Sequence, residues 1–108
     1  MSGSVARGAA SMNRYECDKL KARSNYSKHG IRFTEAARAL TSSHTLTGRS
    51  PQSDELNEER NLSITTLGDG RAIVLVWTPR RGNVRVISVR HARQREREAL
   101  NAYLQKLH

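Results

Sequence analysis

The stretch Arg71-Ala72-Ile73-Val74-Leu75-Val76-Trp77-Thr78-Pro79-Arg80-Arg81-Gly82-Asn83-Val84-Arg85-Val86-Ile87-Ser88-Val89-Arg90-His91 decides how this chain folds. Its first part, Arg71 to Thr78, is apolar on both faces of an extended backbone, which predicts a central strand. Pro79 to Asn83 turns the chain. Val84 to Arg90 then predicts another strand, with Val84, Val86, Ser88 and Arg90 on one side and Arg85, Ile87 and Val89 on the other. Trp77 shares a face with Ile73 and Leu75. Upstream, Arg60 to Leu67 alternates: Leu62, Ile64 and Thr66 face one way, Asn61, Ser63 and Thr65 the other. Gly68-Asp69-Gly70 supplies the positive-φ positions of a hairpin. Strands joined this closely predict a three-stranded antiparallel meander.

Helices flank the meander. Asp18 suits an N-cap, its carboxylate accepting from backbone N–H groups two or three residues on. A helix from about Lys19 should stop at Gly30, which enters the left-handed region without penalty. Thr34 reads as the N-cap of a second helix, Glu35 to Leu40, that buries Ala36, Ala39 and Leu40. Ala92 to Leu107 reads as a third, with Ala92, Ala99, Leu100, Tyr103, Leu104 and Leu107 in one apolar stripe. Glu96 falls on that stripe, where an ionised carboxylate needs a partner, and an arginine of the preceding strand is the obvious one. Tyr15-Glu16-Cys17 suits a short strand, whereas Thr41 to Glu58, with Gly48 and Pro51, reads as a long loop. The expected fold class is therefore α+β: two N-terminal helices, the meander and a C-terminal helix, in a single domain over residues 14–108. Residues 1–13, small and polar, read as a flexible arm.

Charge sets the partners. The 108 residues carry 19 Lys and Arg against 10 Asp and Glu, a net charge of +9. Between Arg71 and Arg97, eight arginines face one acid, Glu96. Guanidinium grips phosphate oxygens with two donors at once, so RNA or DNA is the first candidate ligand, ahead of an acidic protein or an anionic membrane surface. Cys17 is the only cysteine, which excludes an intrachain disulfide and fits a reducing cytoplasm. The histidines have no partner cysteine at metal spacing, and no apolar run approaches the roughly 18 residues of a membrane span. No Gly-rich phosphate loop, nucleophile elbow or zinc helix is present.

RNA cleavage needs none of these. The 2′-hydroxyl attacks the adjacent phosphorus, and preset arginines stabilise the charge that builds on the non-bridging oxygens. A base and an acid complete the set. The candidates are Glu59 beside Arg60, His91 beside Arg90, and Glu96 one turn on. Composition leaves an RNase and a plain nucleic-acid binder level. It also leaves structural readings open: Lys28-His29 closing the first helix, Trp77 in the core, and Arg90–Glu96 as an ion pair anchoring the last helix. Arg80 and Arg81 sit in a turn with no structural need for arginine, so phosphate contact suits them better.

The segment Tyr15 to Leu40, Y-E-C-D-K-L-K-A-R-S-N-Y-S-K-H-G-I-R-F-T-E-A-A-R-A-L, resembles the opening of the BrnT toxins, with their aromatic-E-W-D, N-x-x-K-H-G and F-E-E-A pattern. Glu59-Arg60, Gly70-Arg71 and Thr78 follow in the family's order. Arg85-Val86-Ile87-Ser88-Val89-Arg90-His91-Ala92 is similar to its R-x-I-S-A-R-[KR]-A, with Arg95-Glu96 beyond. The likeness spans about Tyr15 to Glu98. Cys17 stands where the family has Trp, Asn61 where it has an aromatic, and Val89 and His91 where it has Ala and Lys or Arg.

The resemblance implies a RelE-like fold and a cytoplasmic ribonuclease toxin of a bacterial type II toxin–antitoxin pair. It would cut RNA by metal-independent 2′-hydroxyl attack, without a cofactor. Arg60, Arg81 and Arg90 would neutralise phosphate charge, Glu59 or His91 would move protons, and Glu96 would orient Arg90. Arg80, Arg85, Trp77, Lys28 and His29 would bind RNA. The implied partner is a cognate BrnA-like antitoxin, with promoter DNA bound only through their complex and no membrane involved. The alternatives are a non-catalytic basic module that binds nucleic acid or antitoxin, as a decayed toxin would, and a purely protein-binding domain with an acidic partner.

Overall fold

The computed structural model describes residues 15–42, 44–50 and 59–107. The arm expected at 1–13 lies outside them. The elements in chain order are β1 (Tyr15–Glu16), α1 (Lys19–His29), α2 (Phe33–Ser42), β2 (Leu46–Arg49), β3 (Asn61–Thr66), β4 (Ala72–Arg80), β5 (Asn83–His91) and α3 (Gln94–Lys106). β4, apolar on both faces, holds the middle of the sheet, whose strand order is β1-β5-β4-β3-β2. The meander β3-β4-β5 is antiparallel as expected, but the sheet is larger and mixed: it has five strands, with β1 parallel to β5 and β2 antiparallel to β3.

Within Thr41 to Glu58, expected as a loop, Thr41 and Ser42 end α2 and Leu46–Arg49 form β2, while residues 51–58 lie outside the described ones. Leu46-Thr47-Gly48-Arg49 has no alternating apolar pattern, and three of its four residues are exposed. Cross-strand pairing makes it a strand: Thr47 and Ser63 share a hydroxyl hydrogen bond of 2.8 Å, and the Thr45 hydroxyl donates to that of Thr65 at 3.1 Å. Such pairing overrides a weak intrinsic preference.

Two layers of side chains sandwich the sheet. On one face, Ile73, Leu75, Val84, Val86 and Val89 pack with Ile31, Phe33 and the alanines of α2. On the other, Ile64 and Val74 meet Ala92 and Leu100, flanked by Tyr103 and Leu104 of α3. Ile73 and Leu75 are wholly buried, so truncating either to alanine would cost about 2–5 kcal/mol.

Local signals set the helix ends, with two adjustments. Asp18 caps α1, accepting from the Leu20 and Lys21 N–H groups, and Gly30 ends it at φ +69°. α2 begins at Phe33, ahead of the expected Thr34 cap, and Glu35 reaches back to accept from the Arg32 N–H at 3.1 Å. α3 begins at Gln94, two residues after the expected start, because the Ala92 N–H donates to the Ala72 carbonyl at 3.0 Å and holds the chain extended.

Three polar ties fasten α1 to the sheet. The Val89 N–H, beyond the reach of two-residue β1, donates to Asn25 Oδ1 at 3.2 Å. His91 Nε2 donates to the His29 carbonyl at 2.9 Å, and Arg71 Nη1 to the Gly30 carbonyl at 3.3 Å. Arg71 also pairs with Asp69 at 2.8 Å, joining the β3–β4 turn to the end of α1. Because Asn25 closes an otherwise open strand edge, Asn25→Ala should destabilise the fold by about 1–3 kcal/mol in denaturant titration. It should also speed hydrogen exchange at the Val89 amide more than at its neighbours; unchanged exchange there would remove Asn25 from this role.

Candidate active site along a bulged strand

On β5, Ser88 pairs with Val76 and Val86 with Trp77, so Ile87 has no partner on β4. This bulge resets the alternation. Val84, Val86 and Val89 all enter the core beneath α1 and α2. Arg85, Ser88 and Arg90 consequently share the opposite face. That corrects the regular alternation expected, in which Arg85 and Val89 shared a side. A regular strand would have buried a guanidinium or exposed a core valine; one unpaired residue avoids both.

α3 covers the β3 and β4 part of this second face. The β5 part stays open, and Ser88 is exposed on it. Arg85 lies opposite Thr78 on β4 and Glu16 on β1. Arg60 directly precedes Asn61, the partner of Trp77, which brings it beside Thr78 in the same cross-strand row. The Thr78 hydroxyl donates to the Glu59 carbonyl at 2.6 Å and fixes the entry of this segment. At this end of the strip, Asp18, Lys21, Arg60, Arg85, Val86 and Ile87 line a polar cavity of about 240 Å³. Its three cations meet one carboxylate, and Asp18 already accepts from two α1 amides. Arg85 also lies 4.0 Å from Glu16, which is held by Asn83 Nδ2 at 3.3 Å.

Arg90 stands on the same face, roughly 13 Å further along the strand at about 3.3 Å per residue. Its Nη1 and Nη2 each donate to a Glu96 oxygen at 2.7 Å, and Nη1 also to the His91 carbonyl at 3.2 Å. Among the described residues, Nε and one Nη2 hydrogen stay uncommitted, leaving one edge of the fork for a phosphate. Glu96 also accepts from the Arg93 N–H at 2.7 Å, so one carboxylate both orients Arg90 and starts α3. The hydrogen bonds from Arg90, outweighing the opposing effect of burial, lower the Glu96 carboxyl to about 2; the same pair raises Arg90.

The remaining candidates are dispersed. His91 pairs with Ile73, so it points to the α1 face while Arg90, its neighbour, points away. Arg80 and Arg81 are exposed at the tip of the β4–β5 hairpin, outside the cavity of Arg60 and Arg85. Trp77 is half-buried and packs against the core, and its ring N–H donates to Ser63 Oγ at 2.8 Å. Lys28 and His29 close α1, Lys28 exposed and His29 half-buried. Glu59 is exposed next to Arg60. The structure thus joins Arg90 to Glu96 and Arg60 to Arg85, and sets His91 and Arg81 apart. Lys21 was missed; its only sequence signal is a charge three residues past a helix cap. Among the described residues, no three His, Cys, Asp or Glu side chains converge as a metal-binding group, and no helix is long and apolar enough to cross a membrane.

The sequence profile described as "Ribonuclease toxin, BrnT, of type II toxin-antitoxin system" matches residues 18–96. A search of curated proteins finds no significant match. Among solved structures, the chain is similar to the 1.1 Å crystal structure of the Brucella abortus ribonuclease toxin BrnT, with a TM-score of 0.56, 22% identity, and coverage of 74% of this chain and 96% of that one. At that identity the likeness concerns the fold.

Two outcomes follow from the geometry. Because Glu96 titrates at about 2 in the fold against 4.5 ordinarily, its stabilisation is full above about pH 4.5 and is lost as pH falls toward 2. Thermal melts from pH 6 to pH 2.5 should show this loss in the wild type and a shallower one in Glu96→Gln; parallel curves would contradict it. Arg81 holds φ +53°, followed by Gly82 at φ +82°. Arg81→Gly should therefore raise stability by about 1 kcal/mol in denaturant titration, and a loss would show that the Arg81 side chain supports the hairpin.

Proposed function

We infer that this chain, which belongs to the BrnT family of ribonuclease toxins of type II toxin–antitoxin systems, cuts RNA on the open β5 strip. The observation that carries the reading is the shared face of Arg60, Arg85 and Arg90, with Lys21 and the first two at a polar cavity and Arg90 aimed by Glu96. A scissile phosphate seated at Lys21, Arg60 and Arg85 has its non-bridging oxygens met by these three cations. The 2′-hydroxyl attacks phosphorus, the 5′-oxygen of the next nucleotide leaves, and a 2′,3′-cyclic phosphate forms. Charge peaks in that transition state, where preset donors act most strongly. Arg90 holds the next phosphate along the strand, and Arg80 and Arg81 extend the contact at the hairpin tip.

Glu59, exposed beside Arg60, takes the hydroxyl proton, and solvent water gives one to the departing 5′-oxygen. His91 faces the other side of the sheet and stays out of this step. Its bond to the His29 carbonyl at the end of α1 suits a structural tie. The reaction draws on arginine charge and one carboxylate and proceeds without a metal ion. A cognate BrnA-like antitoxin silences the toxin by laying acidic groups along the strip in place of RNA, and promoter DNA is bound through that cytoplasmic complex.

The separation of His91 and Glu59 from Arg90 favours one other reading, a chain that holds RNA without cutting it. The two part in one assay. With EDTA present, the wild-type chain should convert RNA to products with 2′,3′-cyclic ends. Arg85→Ala, shown folded by circular dichroism, should lose about 100-fold or more of that rate, and Glu59→Gln should lose a comparable factor. Salt-sensitive retention of intact RNA would establish the binding module; cleavage that stops with EDTA would overturn the metal-free mechanism.

A further inference from the structure

α1 packs on the sheet without a single buried side chain. It leaves Leu20 74% exposed and Tyr26 47% exposed. A docked helix ordinarily hides an apolar stripe, so apolar residues left outside mark a surface awaiting a partner. Between α1 and the start of α2 lies a cavity of about 340 Å³, its lining mainly apolar: Tyr15, Cys17, Ala22, Tyr26 and Phe33. Two exposed cations, Arg23 and Arg32, line it as well. The Arg32 guanidinium stands 5.0 Å from the centre of the Tyr26 ring, which keeps the charge over the opening. α1 itself carries Lys19, Lys21, Arg23 and Lys28 and no acid. Among the described residues, no carboxylate pairs with Arg23 or Arg32.

We propose that this cavity is the docking site of the cognate antitoxin, which sets one apolar side chain beside Tyr26 and Phe33 and its acidic residues against Arg23 and Arg32. The proposal takes the existence of that partner from the toxin reading above, and nothing from the cleavage mechanism. Charge complementarity selects the occupant. An apolar floor wants a hydrocarbon anchor, and flanking guanidinium groups favour acidic neighbours and repel basic ones. A nucleic acid would satisfy the arginines and leave the floor without an apolar partner. α1 also links the two surfaces, because Lys21 lines the polar cavity while Ala22 and Arg23 line this one. A segment bound here is therefore within one helical turn of the arginine strip it must cover.

Cys17 gives a direct readout, since it is the only cysteine of the chain and lines the cavity. The full chain copurified with its antitoxin from their own operon should react with a maleimide at Cys17 about tenfold or more slower than the free chain, as an anchor buried at an interface core demands. Arg23→Glu/Arg32→Glu should weaken antitoxin binding about thirtyfold or more while RNA cleavage by the free chain is unchanged. Equal labelling of free and bound chain, or undiminished binding by the folded double variant, overturns the proposal. If the double variant does not fold, the labelling of the wild type decides alone. A chain that cuts RNA yet leaves Cys17 reactive in the complex sinks the docking site and spares the nuclease reading. Protected Cys17 in a chain that cuts nothing does the reverse.

Discussion

Without the unpaired Ile87, Arg85 and Arg90 would point to opposite faces of β5, because they are five positions apart and side chains alternate with a period of two. The bulge turns an odd spacing into an even one. Three valines keep the core on one side while two arginines and Ser88 gather on the other. Both the packing of α1 and α2 and the composition of the open strip depend on this one irregularity.

Arginines in this chain divide by what they touch. Arg71, Arg90 and Arg97 bond within the fold: to Asp69 and the Gly30 carbonyl, to Glu96, and to the Ala92 carbonyl respectively. Arg80, Arg81, Arg93 and Arg95 are exposed. A count of positive charge therefore overstates what any single ligand would feel, while the geometry of the β5 face understates nothing: its cations are few but held. The N-x-x-K-H-G segment divides similarly. Asn25, His29 and Gly30 tie α1 to the sheet, and the Lys28 side chain is left to solvent.

How much was legible in the sequence follows from the range of the forces involved. Local signals held: Asp18 and Gly30 bound α1, the two-sided apolar run made β4 central, and Glu96 found an arginine of the preceding strand. Failures came where distant residues decide. β2 forms because Thr47 and Thr45 meet hydroxyls of β3, which no window around Leu46 contains. The bulge is set by which valines the core accepts, so alternation along β5 was misread. Of the expected trio of Arg60, Arg81 and Arg90, Arg81 rides the hairpin tip, and Arg85 instead stands beside Arg60. Lys21 entered the site only through the path α1 takes across the sheet edge.

The Arg90–Glu96 pair spans the junction between the last strand and the last helix. Arg90 emerges from the ribosome before the carboxylate that steadies it, so a nascent chain stalled between the two carries a guanidinium with no fixed direction. Proper aim arrives with the closing helix. A chain that ends before α3 would thus keep the strand that carries Arg90 and lack the carboxylate that steadies it.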